Sequence, residues 1–183
     1  MENEEMKASY WPSVIQAAII IGVVIAVIGL ISQYMTISNE PTGAQFSLSQ
    51  LVGIISCLVG ALGGIIATRH YAKSHNITFP IGTGALLGFL TGVIAVGISA
   101  LISLIWTKIL DPGLNQAVYD WQIANLEAQN LPDAQMDMAL SFMPDPTSMS
   151  AFFIATGISL VIIGILNALT GMIGAKIFAS EEE

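Results

Sequence analysis

FPIGTGALLGFLTGVIAVGISALISLIWT, running from Phe79 to Thr107, contains no Asp, Glu, Lys, Arg or His. As a helix rising about 1.5 Å per residue, it is longer than the roughly 30 Å hydrocarbon layer of a bilayer. A helix is also the only single-segment backbone that satisfies its own N–H and C=O groups in lipid, so the stretch reads as a membrane span. Three other segments share its character: Pro12 to Met35, Leu48 to Thr68, and Ser150 to Phe178, whose single charge, Lys176, lies near its end. The expected fold is an all-α integral membrane protein, one domain over residues 1–183. Its four transmembrane helices cover about 12–35, 48–68, 79–107 and 150–178. The third and fourth are longer than the layer requires and should tilt or project on the side of the long loop that joins them.

The rest of the composition follows. Of 183 residues, 54% are hydrophobic and 10% charged, where a soluble domain carries about 25% charged. The net charge of −8 sits largely outside the spans, in Glu2, Glu4, Glu5, the stretch from Asp111 to Asp145, and Glu181 to Glu183, which argues against a nucleic-acid partner. Cys57 is the only cysteine, so no intrachain disulfide can form, and it reads as a small packing residue. The beginning, Met-Glu-Asn-Glu-Glu-Met-Lys, is acidic where a signal peptide would be basic, so the first span is expected to be a retained anchor.

With both termini cytoplasmic, Lys7, Arg69, Lys73 and Lys176 fall inside and only Lys108 outside, which is the orientation the positive-inside rule favours. The long loop is then periplasmic. In the turn from Arg69 to Asn76, Arg69 and Lys73 are placed to meet anionic lipid headgroups. His70 and His75 stand on different helical faces with no third ligand nearby, so no metal site and no cofactor are expected. Trp11, Tyr34, Tyr71 and Trp106 fall near span ends, as an aromatic belt would.

Helices in lipid associate through close packing and hydrogen bonds, which small residues permit. Gly84, Gly88 and Gly92 recur every four residues, as do Ser56, Gly60 and Gly64, and Ala18, Gly22 and Ala26; Gly157, Gly164 and Gly171 recur every seven. These ridges either pack inside a four-helix bundle or turn one face outward to another subunit or a second copy. Gln16, Ser56, Thr91, Ser99, Thr156, Ser159, Asn167 and Thr170 are polar within spans. Asn167 is the most demanding, because its amide needs partners where there is no water. It is expected to form an interhelical hydrogen bond, or alternatively a polar site for a solute or quinone. Ala61-Leu62-Gly63-Gly64 ahead of Arg69 also echoes Ala168-Leu169-Thr170-Gly171 ahead of Lys176, the pattern of a duplicated helical hairpin.

Between Asp111 and Pro146 the composition becomes that of a soluble protein. Asp111 as N-cap and Pro112 at the first position predict a helix to about Gln129. Pro132-Asp133 then starts a second, striped by Met136, Leu140 and Met143, and Thr147 and Ser148 cap the fourth span. The expectation is a helical hairpin over the outer mouth of the bundle, packed through Trp121 and the Met stripe. Its acids, Asp120, Glu127, Asp133, Asp137 and Asp145, lack the alternating spacing of a calcium loop and read as a solvated face.

The order of parts resembles a family of small bacterial membrane proteins known as domain of unknown function 4199. The likeness rests on Arg69-His70-Tyr71-Ala72-Lys73 leading through Ile77-Thr78-Phe79 into a Gly-rich span, on Leu110-Asp111-Pro112, and on Ala128-Gln129-Asn130-Leu131-Pro132-Asp133-Ala134-Gln135-Met136. Asn130 replaces a common glycine, and the loop lacks the family's many lysines. The resemblance implies four spans and a Gram-negative inner membrane, with no activity and no catalytic residues attached. With no nucleophile set, phosphate loop or paired buried carboxylate in the sequence, an enzyme is not expected. The reading is a non-enzymatic packing, scaffold or accessory subunit that contacts membrane lipids and other membrane subunits or itself. The alternative is a small oligomeric transporter or channel, not proton-coupled through its own spans.

Overall fold

The computed structural model describes residues 9–44, 48–143, 145 and 148–178. Within them the chain forms α1 (Trp11–Ser38), α2 (Leu48–Ala61), α3 (Gly63–His75), α4 (Ile81–Ile105), α5 (Leu114–Glu127), α6 (Asp133–Phe142) and α7 (Met149–Phe178). A π-helical turn, Trp106–Leu110, extends α4, and no strand occurs among the described residues. Four stretches are long and apolar enough to cross a membrane: Trp11–Ser38, Gln50–His75, Ile81–Leu110 and Met149–Phe178. The chain is thus an all-α protein with four membrane-type helices. Because the spans alternate in direction, the start of α1, the turn from α3 to α4 and the end of α7 share one face, hereafter the termini face. The α1–α2 connection, α5 and α6 share the other, the loop face.

Helix ends follow local chemistry. Pro12 stands in the first turn of α1, where its missing N–H is no loss. The second span runs on past Thr68 to His75, since Arg69 and Lys73 are good helix formers at a wet boundary. Asn76 then stops it in the left-handed conformation at φ 49°, its N–H donating to the Ala72 carbonyl. Ser148 accepts a hydrogen bond from the Ala151 N–H at 3.3 Å and so caps α7, while Thr147 lies outside the described residues.

On the loop face, Asp111 does not cap a helix as its sequence position suggests. Its carboxylate accepts the Tyr34 hydroxyl at 2.7 Å, and that hydroxyl in turn accepts the Trp106 indole N–H at 3.0 Å. Freed of the cap, α5 begins at Leu114. It is tied to the end of α1 and to the connection beyond by side chain to backbone bonds: Trp121 donates to the Asn39 carbonyl at 2.6 Å, and Asn125 accepts from the Gly43 N–H at 2.9 Å. Gly43 has φ +73°, and a Cβ there would stand 2.7 Å from the Ala128 carbonyl, so the position demands glycine. The second loop helix, α6, differs from expectation. It buries no residue, contacts α5 only slightly, and leaves Met138 and Phe142 exposed at 62% and 80%.

The second span is broken at Leu62, which the apolar pattern did not disclose. Leu62 N–H bonds to Val59 in a tight turn, and α3 restarts at Gly63. In an unbroken helix the Gly64 N–H would meet the Gly60 carbonyl. Here the carboxamide of Asn167 from α7 inserts between them: it accepts the Gly64 N–H at 2.7 Å and donates to the Gly60 carbonyl at 2.9 Å and to Ile163 at 2.9 Å. The next carbonyl, Ala61, accepts the Thr170 hydroxyl at 2.5 Å. Below this latch, toward the termini face, Val14, Tyr71, Ala72, Phe79, Leu87 and Ala175 form the main core cluster.

Asn167→Leu would leave two buried backbone groups without partners, at about 1–3 kcal/mol each. We expect it to lower resistance to unfolding in detergent by several kcal/mol, while Thr170→Val lowers it by roughly 1 kcal/mol. Equal stability of Asn167→Leu and wild type in an SDS titration would show that the latch does not hold α7 to the break. Tyr34→Phe, which strips a hydroxyl from a carboxylate-assisted pair, should cost about 1.5 kcal/mol by the same titration.

Candidate functional site

The glycine ridges fix where the bundle is tight. A Cβ on Gly88 would fall onto the Asn167 carbonyl, and one on Gly84 would meet the Gly171 carbonyl and the Ala175 side chain at 2.5 Å each. An added Cβ on Gly92 would lie 2.8 Å from the Ile163 carbonyl oxygen and one on Gly64 2.6 Å from the Gly171 nitrogen, while one on Gly171 would meet the Gly84 carbonyl. Gly22 brings α1 onto α4, its Cβ position 2.7 Å from the Ala95 carbonyl. Gly60 and Gly164 make room for side chains instead, Ile25 at 3.0 Å and the Phe89 ring at 3.0 Å. Gly157 alone of the nine glycines in these candidate ridges meets nothing within 4 Å. Backbone thus lies on backbone between α4, α7 and α3, with no space for a methyl group.

The polar side chains in this tight part are internally satisfied. Asn167 and Thr91 are fully buried, and the Thr91 hydroxyl donates to the Leu87 carbonyl at 2.7 Å. Thr68 donates to the Gly64 carbonyl at 2.8 Å. Asn167 is therefore a structural latch: both its amide hydrogens are engaged and the side chain is fully buried, out of reach of a solute.

Toward the loop face the bundle opens. A crevice of about 600 Å³ lies between all four spans, with Ile25, Val96 and Ile163 among its walls nearest the latch. Its polar lining comes from every span: Gln33 of α1, Ser56 of α2, Ser99 and Ser103 of α4, Thr156 and Ser159 of α7. Ser159 bonds back to the Ala155 carbonyl at 2.9 Å, whereas the hydroxyls of Ser56, Ser99, Ser103 and Thr156 make no hydrogen bond among the described residues. Cys57 also lines the crevice. Gln33 lines a second cavity as well, of about 480 Å³, roofed by α5 through Trp121, Gln122 and Asn125. The side-chain oxygen of Gln33 is buried without a hydrogen-bond partner. Neither lining contains a charged side chain, so the pair of cavities suits an uncharged molecule.

Of the polar span residues, the structure brings Ser56, Ser99, Thr156 and Ser159 together and holds Asn167 and Thr91 apart from them. Gln33 and Ser103 are the additions that the sequence did not single out. Their signal was faint: Ser99 and Ser103 are four apart, on one helical face, and Gln33 lies among apolar residues near the end of a span.

On the termini face Arg69 and Lys73 line a shallow pocket of about 360 Å³ with Asn76, Thr78 and Phe178. The Arg69 guanidinium lies 5.8 Å over the Phe178 ring. His70 Nδ1 is 2.8 Å from the Ser13 hydroxyl, and His75 packs edge-on against Tyr71 at 5.2 Å. No group of three or more His, Cys, Asp or Glu side chains is placed to hold a metal among the described residues.

The contrast between seam and open space is testable. Gly88→Leu should abolish the folded monomer in mild detergent, read by gel filtration and circular dichroism, while Gly157→Leu should behave as wild type. Equal tolerance of both would contradict the seam.

No curated protein and no solved structure matches the chain. The family described as "Protein of unknown function (DUF4199)" matches residues 16–179, taking in all four spans and the loop between the last two. With nearly its whole length matched, the chain belongs to that family.

Proposed function

We propose that the protein is a non-enzymatic accessory or scaffold subunit of an assembly in the bacterial inner membrane, with both termini cytoplasmic and the α5–α6 side periplasmic. The observation that carries this reading is the closed seam at mid-bundle, where Gly84, Gly88 and Gly171 bring backbones together and Asn167 is fully buried with its amide bonded to Gly60 and Gly64. A transporter built on this chain would need Asn167, Thr91, Ser99 and Thr156 around one path. Instead, the first two are internally bonded in the tight part, and only the last two line an open space. That division favours a supporting role over solute passage.

The second support is α6. It has no fully buried residue and exposes Met138 and Phe142 outside the spans, an apolar surface that a water-facing helix seldom leaves uncovered. A membrane-protein partner covering α6 accounts for it. The lipid-facing residues of α7, among them Phe153, Ile154 and Ile158, then remain with the bilayer. The distribution of Lys and Arg supports the orientation, with Arg69, Lys73 and Lys176 on the termini face and Lys108 on the other.

Tagged chain extracted gently from native membranes should co-purify in fixed ratio with another membrane protein, and Phe142→Asp should release that partner while the spans remain folded. A discrete homo-oligomer that conducts solute in liposomes would sink the proposal. A reporter active only in the cytoplasm, fused after Glu183, should be active; silence would reverse the orientation.

A further inference from the structure

We infer that the crevice between the four spans and the cavity beneath α5 form one binding site for an uncharged amphiphile: its apolar body lies in the crevice and its hydroxyl-bearing head meets Gln33. The inference is independent of the accessory role proposed above and concerns a part of the molecule that role does not use.

Size and lining come first. The two spaces, about 600 and 480 Å³, each fall within the range of small-molecule pockets, and Gln33 belongs to both linings. The crevice has apolar walls, including Ile25, Val96, Phe152 and Ile162, crossed by a few hydroxyls. The upper cavity is richer in amides, with Gln50, Gln122, Asn125 and Gln129 beside the Trp121 ring. An apolar chamber beside a neutral polar one, with one amide bordering both, is the complement of an amphiphile. A charged head would find no counter-charge in either lining and would lose its hydration without compensation.

Polar satisfaction points the same way. Side chains that can hydrogen-bond are costly in hydrocarbon and turn toward a partner or a cavity. Here Ser56, Ser99, Ser103 and Thr156, from three helices, all turn to one crevice and make no hydrogen bond among the described residues. The Gln33 oxygen is buried without a partner, and Gln33 borders both spaces. The terminal torsion of a glutamine is soft, so a small rotation carries this amide into either space. A hydroxyl both donates and accepts, and it therefore serves whichever end of the amide it meets.

The far side of the crevice is shut by the latch and the glycine seam, so an occupant is held there and cannot pass through. The shared chemistry, an apolar chain with an uncharged hydroxyl head, is found in acylglycerols and in isoprenoid alcohols.

Full-length protein in peptidiscs, free of detergent, would be titrated with monooleoylglycerol, with farnesol and with oleate, and the bound state read by native mass spectrometry. Saturable binding of one neutral amphiphile per chain is expected, with oleate, which carries a charged head on the same chain as monooleoylglycerol, about tenfold weaker or more. Tighter binding of monooleoylglycerol than farnesol would assign the acylglycerol source, and the reverse the isoprenoid one. Gln33→Leu should weaken the neutral ligands about tenfold. Gly53 lines the crevice and has nothing within 4 Å of its Cβ position, so Gly53→Leu should fill the space and abolish binding while unfolding as wild type does. If Gln33→Leu fails to fold, Gly53→Leu decides alone. Non-saturable uptake, equal binding of oleate, or unchanged binding in Gly53→Leu would overturn the inference.

Discussion

A single carboxamide placed inside another helix's hydrogen-bond ladder organises this molecule. In hydrocarbon no water is available to a broken helix, so every N–H and C=O released at Leu62 must be met by protein. Asn167 has one donor group and one acceptor group, which are what the Gly60 carbonyl and Gly64 N–H require. Thr170, one helical turn further along α7, takes the neighbouring Ala61 carbonyl. The amide can reach this deeply only because positions 63 and 64 are glycine; a Cβ on Gly63 would already stand 2.6 Å from the Asn167 oxygen. Break and latch are thus one feature, and neither is stable without the other.

The break also divides the bundle. α3 packs extensively on α7, whereas α2, on the other side of Leu62, touches α7 only lightly. An inserted side chain is a recognised cause of a helix kink, and here the contact of the second span with α7 weakens on the α2 side of Leu62. On the α3 side the result is a dense core in which Val14, Leu87 and Ala175 are almost wholly buried. On the α2 side it is a crevice whose lining includes Gly53, Ser56 and Cys57. Tightness and openness in the membrane domain therefore have the same origin.

This origin explains what the sequence could and could not disclose. The spans were legible because charge-free length is a local property, and the two loop helices because their turn residues and apolar spacing are local too. The four-residue glycine ridge of Gly84, Gly88 and Gly92 announced a close helix contact, but not that α7 would supply it. Of the seven-residue series, Gly164 and Gly171 pack within the bundle, whereas Gly157 meets nothing within 4 Å of its own chain. A straight helix drifts about 20° for every seven residues, and toward the loop face α7 has left the seam for the crevice. The stretch Val59-Gly60-Ala61-Leu62-Gly63-Gly64 carries no proline, and glycine is common inside membrane helices, so nothing local distinguishes a break from a continuous span. The distinguishing residue lies more than a hundred positions away. Asp111 illustrates the same limit on the loop face: its place before Pro112 reads as a helix cap, yet Tyr34, from another helix, takes its carboxylate.

The roof over the upper cavity is built differently from the floor of the crevice. The floor is backbone against backbone and leaves no freedom. α5 is attached to α1 and the α1–α2 connection through side chains, with Trp121 and Asn125 reaching carbonyls and an N–H of Asn39, Gly43 and Ala44. The π-helical turn at the end of α4 sets Trp106 against Tyr34, so α1, α4 and the loop meet at one hydroxyl. The bonds of Trp121 to Asn39 and of Asn125 to Ala44 are exposed, where water can replace them. Of the elements around the upper cavity, α5 is the one tied down by side chains at the wet end of the bundle. Its cheapest motion breaks bonds that solvent can remake, whereas any motion of the floor would expose the amide and carbonyls around Asn167 to hydrocarbon.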